Sequence, residues 1–356
     1  MHNVIHTDEN VIITCANYAD TTEFFDVETG TKLFINLPAS KVLKTVHALK
    51  DHISCLENSH VSVAEEGTTI RVFYNRGRWY TSTKRKLQAF KSSWADKTTT
   101  FGATFAQAVR NELGIADDTR PDRVLLEYFY EKYLHKDKVY FFILRNTAGE
   151  RIVCDPPEDA KAMHICTQRN YINNFHDRII IDDGTFTHTT ELSPSFEAIE
   201  SSLASMNYRH HQGVIVEKDG VFYKILIPTY AKFAAVRGEM PSLRMCYLKL
   251  RNPKTFHERN LFLENYPSFN TTVDSLETEI YEICCRLHWM YLEKYIHKIQ
   301  FNLIQNDLKA LKIIHHAYLQ SRIPTTPQRI NDILTTHPVL VNHLLKDKKK
   351  IEKSSA

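Results

Sequence analysis

The densest run of chemistry-bearing side chains lies between Arg71 and Lys97, where eight Lys or Arg residues stand against one acid, Asp96. Phe73, Tyr74, Trp79, Tyr80, Phe90 and Trp94 are interleaved with them. Cationic groups attract phosphates and aromatic faces stack on bases, so the combination suits single-stranded nucleic acid. The same run also fits a strand hairpin with core aromatics and solvated charges. The histidine doublets His210-His211 and His315-His316 are poor chelators, because adjacent side chains on a helix or strand point in different directions. No metal ligands are assigned. Seven cysteines, an odd number without CxxC spacing, read as free thiols of a reducing, intracellular compartment.

These groups must be positioned by a chain of 356 residues with 43% hydrophobic and 24% charged residues, ordinary for a folded protein. The net charge of +3 is too small to identify a partner by itself. No window approaches the roughly 18 consecutive apolar residues of a membrane span, and the N-terminus lacks a signal-peptide pattern, so no membrane partner is expected.

Short strands at Val11–Thr14 and Lys32–Ile35 and a helix over Lys41–Lys50 suggest a small α/β module, residues 1–57. Residues 58–250 read as an antiparallel α+β domain. Thr69–Tyr74 and Arg78–Ser82 form a hairpin about Asn75-Arg76-Gly77, and Gly213–Glu217 and Val221–Ile227 a second about Lys218-Asp219-Gly220. Phe101–Leu113 reads as a helix closed by Gly114. Val124–Tyr130, Lys138–Leu144 and Arg151–Cys154 read as strands. Residues 251–345 read as an all-α domain. Its first helix starts from an Asp274/Glu277 capping box, a second spans Asn306–Gln320, and a third starts at Thr326-Pro327 and ends by His337-Pro338. Residues 346–356 are expected as a basic flexible tail.

Four segments then fall in a suggestive order. Ala64-Glu65-Glu66-Gly67 resembles a KxDG motif. Phe142-Ile143-Leu144, followed by Glu150-Arg151-Ile152-Val153, resembles a glutamate-bearing strand and the segment after it. Gln212-Gly213-Val214-Ile215-Val216 resembles an EG strand, and Tyr223-Lys224-Ile225-Leu226, leading to Tyr230, resembles KxK. In this order and spacing, residues 59–245 resemble covalent nucleotidyltransferases of the RNA-ligase type. They are also similar to RNA-ligase-like proteins of large DNA viruses, which share the pattern of Glu66-Gly67-Thr68, Phe73-Tyr74, Trp79, Ser82-Thr83 and Ala89-Phe90…Ser92…Trp94. The resemblance implies a nucleotidyltransferase core with a helical C-terminal domain. In such enzymes a lysine amine attacks the α-phosphate of a nucleoside triphosphate, carboxylates hold ribose and metal, and further lysines neutralise phosphates.

Against that pattern, Ala64 occupies the lysine position, Ile143 the strand glutamate, Gln212 the glutamate of EG and Leu226 the second lysine of KxK. Glu66, Gly67, Gly213 and Lys224 keep the expected nucleotide-binding chemistry. The resulting expectation is a catalytically degenerate protein that binds RNA, or protein through its helical domain, in a viral process, located in host cytoplasm or virion. Arg76, Arg78, Lys84, Arg85, Lys86 and Lys91 would contact phosphates, with Trp79 as a stacking surface. Two alternatives stand beside it. An active ligase or capping-type enzyme, using ATP and Mg²⁺, would recruit a displaced lysine such as Lys84, Lys86 or Lys91. A structural subunit of a larger viral assembly would have its old cleft filled by side chains.

Overall fold

The computed structural model describes residues 2–16, 22–94, 98–147 and 151–355, so Asp96, Lys97 and Glu150 lie outside the described residues. The chain divides into two compact units, residues 1–234 and 235–356.

The first unit opens with β1 (His2–Thr7), β2 (Val11–Ala16), β3 (Thr22–Asp26) and β4 (Lys32–Ile35), an antiparallel meander in chain order. Its turns are tied locally: the Asp8 carboxylate accepts from the Asn10 and Val11 N–H groups, and that of Asp26 from Glu28 and Thr29. Next come β5 (Lys41–Leu43), α1 (Val46–Lys50), β6 (His60–Ala64), β7 (Thr68–Asn75), β8 (Arg78–Ser82), α2 (Phe101–Glu112), α3 (Asp122–Tyr133), β9 (Val139–Arg145), β10 (Lys161–Arg169) and β11 (Ile172–Asn174). The two-residue strands β12 (Ile180–Ile181) and β13 (Gly184–Thr185) precede α4 (Phe196–Ser205), β14 (Gly213–Lys218), β15 (Val221–Leu226) and α5 (Pro228–Arg237).

Two larger sheets result, ordered β11-β10-β9-β7-β8 and β5-β15-β14-β6. All their pairings are antiparallel except β5 with β15. Alternation along the strands sorts the side chains by face. Ile70, Val72, Phe142 and Leu144 of the five-stranded sheet pack with Phe105, Val109, Leu125 and Phe129 of α2 and α3. Val61, Val214, Val216 and Ile225 of the four-stranded sheet pack with Val46, Leu49 and Ile199 of α1 and α4. Phe73, Phe141, Cys166, Ile215 and Phe222 form a third cluster with Val11, Ile13, Phe24 and Phe34 of the meander. Both expected hairpins turn on two residues with positive φ, Arg76-Gly77 (47° and 82°) and Asp219-Gly220 (51° and 79°), matching the twist of the flanking strands.

Several expectations are corrected. Val124–Tyr130 is the body of helix α3, not a strand. Its β-prone residues place Leu125, Leu126, Phe129 and Tyr130 on one buried helical face. Lys41–Lys50 is not one helix: Lys41–Leu43 pairs with β15, and α1 starts only after Thr45 caps Ala48. Arg151–Cys154 is an irregular segment rather than a strand, held by side-chain bonds described below.

The second unit is helical: α6 (Leu243–Leu250), α7 (Phe256–Asn265), α8 (Asn270–Tyr291), α9 (Gln305–Ser321), α10 (Pro327–Leu334) and α11 (Pro338–Ser355). Tyr247, Phe262, Ile280, Leu287, Leu311, Leu334 and Leu344 share its core. Asp274 is not an N-cap, because α8 begins a full turn earlier, and Glu277 instead pairs with the buried Arg251 at 2.7 and 2.8 Å. Thr326 caps Arg329 with Pro327 in the first turn of α10, as its spacing predicts. The run expected as a flexible tail continues α11 to Ser355. No described helix is long and apolar enough to cross a membrane.

Candidate functional site

Ala64 ends β6 fully buried, with Gly213 of β14 directly opposite. Alternation puts Ser62 and Ala64 on the same face as Gly213, Ile215, Lys224 and Leu226, whose registers are Gly213↔Ala64, Ile215↔Ser62, Ile215↔Lys224 and Gly213↔Leu226. The motif positions of three strands therefore converge on one patch of one sheet face. Gly67 is dictated by close approach: a Cβ there would press on the Leu144 carbonyl oxygen and the Ile143 side chain. Gly213 has φ +150°, and a Cβ there would run into the Ile225 carbonyl.

The acids beside position 64 both bond to groups of the chain itself. Glu66 accepts the backbone N–H groups of Ile152 (2.7 Å), Val153 (2.9 Å) and Cys154 (3.1 Å), and the Tyr230 hydroxyl at 2.9 Å. Glu65, buried, accepts from Arg145 at 3.3 Å and pairs with His211 Nδ1 at 2.9 Å. Arg145 also donates to the carbonyls of Asp155 and His210, drawing the 151–155 segment across the end of β6. Burial, with the Glu66 charge adding to it, pushes the Tyr230 hydroxyl and the Cys154 thiol well above their ordinary ranges, so both stay protonated.

Lys224 Nζ donates to Gln212 Oε1 at 2.9 Å. Burial holds this amine below the usual lysine range, and the Glu66 carboxylate partly opposes that. Lys224 of β15 is thus set beside Gln212, which directly precedes β14.

The basic hairpin is divided. Arg76 is bound to Asp26 (2.5 and 2.8 Å) and to Glu28, while Arg78 is bound to Asp8 and, at 3.1 Å, to Glu9. The Arg76 guanidinium and the Thr29 N–H hold the Asp26 carboxyl well below its ordinary range. These two arginines fasten the N-terminal meander to the hairpin. Trp79 donates to Glu131 at 2.8 Å and lies between Tyr74 and Tyr130, and Tyr80 is buried against Phe73. Beyond β8 the cations turn outward: Arg85, Lys86 and Lys91 are exposed and Lys84 half-buried. Lys86 Nζ donates to the Lys91 carbonyl at 3.1 Å.

Sequence reasoning placed Glu66, Gly67, Gly213 and Lys224 in one site, and the fold brings them together. It missed Arg145 and His211 as partners of Glu65, which stand 80 and 146 positions away from it and carry no local signal.

No known protein-family profile matches the chain. The immediate-early protein ICP-46 homolog of Invertebrate iridescent virus 6 is 27% identical over 331 residues, covering 85% of this chain and 71% of that protein. The corresponding homolog of Invertebrate iridescent virus 3 is 28% identical over 231 residues, covering 64% of this chain and 47% of that protein, so the chain spans about half of this second relative. Among solved structures, an archaeal ATP-dependent RNA ligase is similar at a TM-score of 0.41 and 10% identity, over 75% of this chain and 68% of that one.

Proposed function

We propose that this protein is an RNA-ligase-type nucleotidyltransferase in which the lysyl-nucleotide step has been retired, and that it acts as an RNA-binding component of viral nucleic-acid metabolism inside the infected cell. One observation carries the reading: the Glu66 carboxylate is saturated by groups of the same chain and Glu65 is tied to Arg145 and His211, while position 64 itself is a buried alanine. A carboxylate already accepting three N–H groups and a hydroxyl has little capacity left for ribose or metal. The iridescent-virus relatives support the viral setting.

RNA contact is assigned to Lys84, Arg85, Lys86 and Lys91, which lie along the outward segment after β8, the strand that carries the half-buried Trp79. Arg76 and Arg78 are left out of this surface because their charges are spent on meander acids. Reversing Lys84, Arg85 and Lys86 to Glu is expected to abolish RNA retention at moderate salt with an unchanged circular dichroism spectrum. Unchanged affinity would remove this surface from the reading.

The catalytic half of the proposal is tested by incubation with α-labelled ATP or GTP and Mg²⁺ or Mn²⁺, followed by a denaturing gel. No covalent label is expected. A second reading, an active enzyme with a displaced nucleophile, is favoured by the lowered Lys224 amine at the site. A label mapped to Lys224 and lost in Lys224→Arg would establish it and overturn the first.

A further inference from the structure

Away from the Ala64 patch, at the other end of β6, the fold gathers His60, His176 and Glu191, each offering one donor atom within 4.8 Å of the others. His60 is the first residue of β6, His176 follows β11, and Glu191 sits opposite Ser62 beside the same strand. His60 and Ala64 are four residues apart, about 13 Å along an extended strand. The cluster is therefore separate from the carboxylates discussed above.

We infer that His60, His176 and Glu191 form a binding site for a divalent first-row transition metal, Zn²⁺ above all, with a coordination position open to solvent. Two imidazoles and one carboxylate are a donor set suited to Zn²⁺ and unlike the oxygen cages of Mg²⁺ or Ca²⁺. Donors on a tetrahedral Zn²⁺ at about 2.0–2.1 Å stand roughly 3.3 Å apart, so small side-chain rotations close the observed spacing. Glu191 Oε1 already lies 3.6 Å from His176 Nδ1.

An independent observation points to a ligand. His60 is 8% exposed, and its Nε2 is a buried ring nitrogen with no hydrogen-bond partner in the protein. Such an orphan costs free energy unless something occupies it. The ring itself is fixed, stacked on Phe175 at 4.4 Å and 14°. His176 and Glu191 are exposed, which leaves the outer side of the site accessible to water. Arg178 donates to Glu191 Oε1 and would serve as the outer partner that orients a ligating carboxylate, at the expense of some repulsion of the ion.

The test is calorimetric titration of the metal-stripped full chain with ZnCl₂, repeated with Co²⁺ to read its visible absorption. One Zn²⁺ per chain is expected, with affinity lower by about 100-fold or more in His176→Ala and Glu191→Gln. Both substitutions fall on exposed residues, unlike the buried His60, and an unchanged circular dichroism spectrum verifies that each variant is folded. Absence of Zn²⁺ uptake by the wild type would overturn the inference. So would uptake with equal affinity and stoichiometry in both variants, since the metal would then be held elsewhere.

Discussion

Replacing Glu66 by Gln separates a structural carboxylate from one reserved for a ligand. Glu66 Oε1 accepts the Ile152 N–H, and Oε2 accepts the N–H groups of Val153 and Cys154 together with the Tyr230 hydroxyl. A glutamine keeps most bonds with its oxygen in the place of Oε2, where Val153, Cys154 and Tyr230 still donate. The Ile152 N–H then faces an NH₂ donor. A hydrogen bond to a charged acceptor contributes about 1.5–3 kcal/mol, so the loss of this one is expected to cost about 2 kcal/mol. Urea unfolding followed by circular dichroism measures the loss, and hydrogen exchange at residues 152–154 locates it. An unfolding free energy within about 0.5 kcal/mol of wild type, the range of an ordinary surface change, with exchange unaltered, would refute the structural role and return Glu66 to the ligand.

Other consequences are equally direct. Arg286 holds the fully buried Asp307 through two bonds of 2.9 and 2.8 Å, so Arg286→Leu strands that carboxylate and should cost about 3–5 kcal/mol in urea unfolding. Gly67→Ala forces a Cβ onto the Leu144 carbonyl and should destabilise by about 1–3 kcal/mol by the same assay. His164 is buried, and burial pulls its imidazole from 6.5 to about 4. The folded state therefore binds this proton more weakly than the unfolded chain. Its contribution is fully present above pH 6.5 and is lost as pH falls through about 4, amounting to about 3 kcal/mol. Stability of the wild type should fall across that window more steeply than that of His164→Gln; parallel curves would count against the assignment.

Local chemistry was enough to locate both hairpins, because Arg76-Gly77 and Asp219-Gly220 are turn residues whose preferences do not depend on distant parts of the chain. It also located α2 and the Thr326-Pro327 start of α10, where caps and periodicity agree, and α9 by its periodicity alone. The grouping of Glu66, Gly67, Gly213 and Lys224 was legible through motif order alone. Local pattern failed where two periodicities compete. Val124–Tyr130 is rich in β-formers, yet its apolar residues also mark one helical face, and packing against α2 and the five-stranded sheet selected the helix. Asp274 and Glu277 imitate a capping box, but Glu277 is taken by Arg251, a residue no window around the helix contains. What the tertiary structure alone decided is the state of the charges. It assigned Arg76 and Arg78 to acids of the meander, closed Glu65 and Glu66 with partners up to 164 positions away, and brought His60, His176 and Glu191 within reach of one ion. Sequence spacing carries propensity over a few residues, whereas a charge is free or spent according to which strands the fold sets side by side.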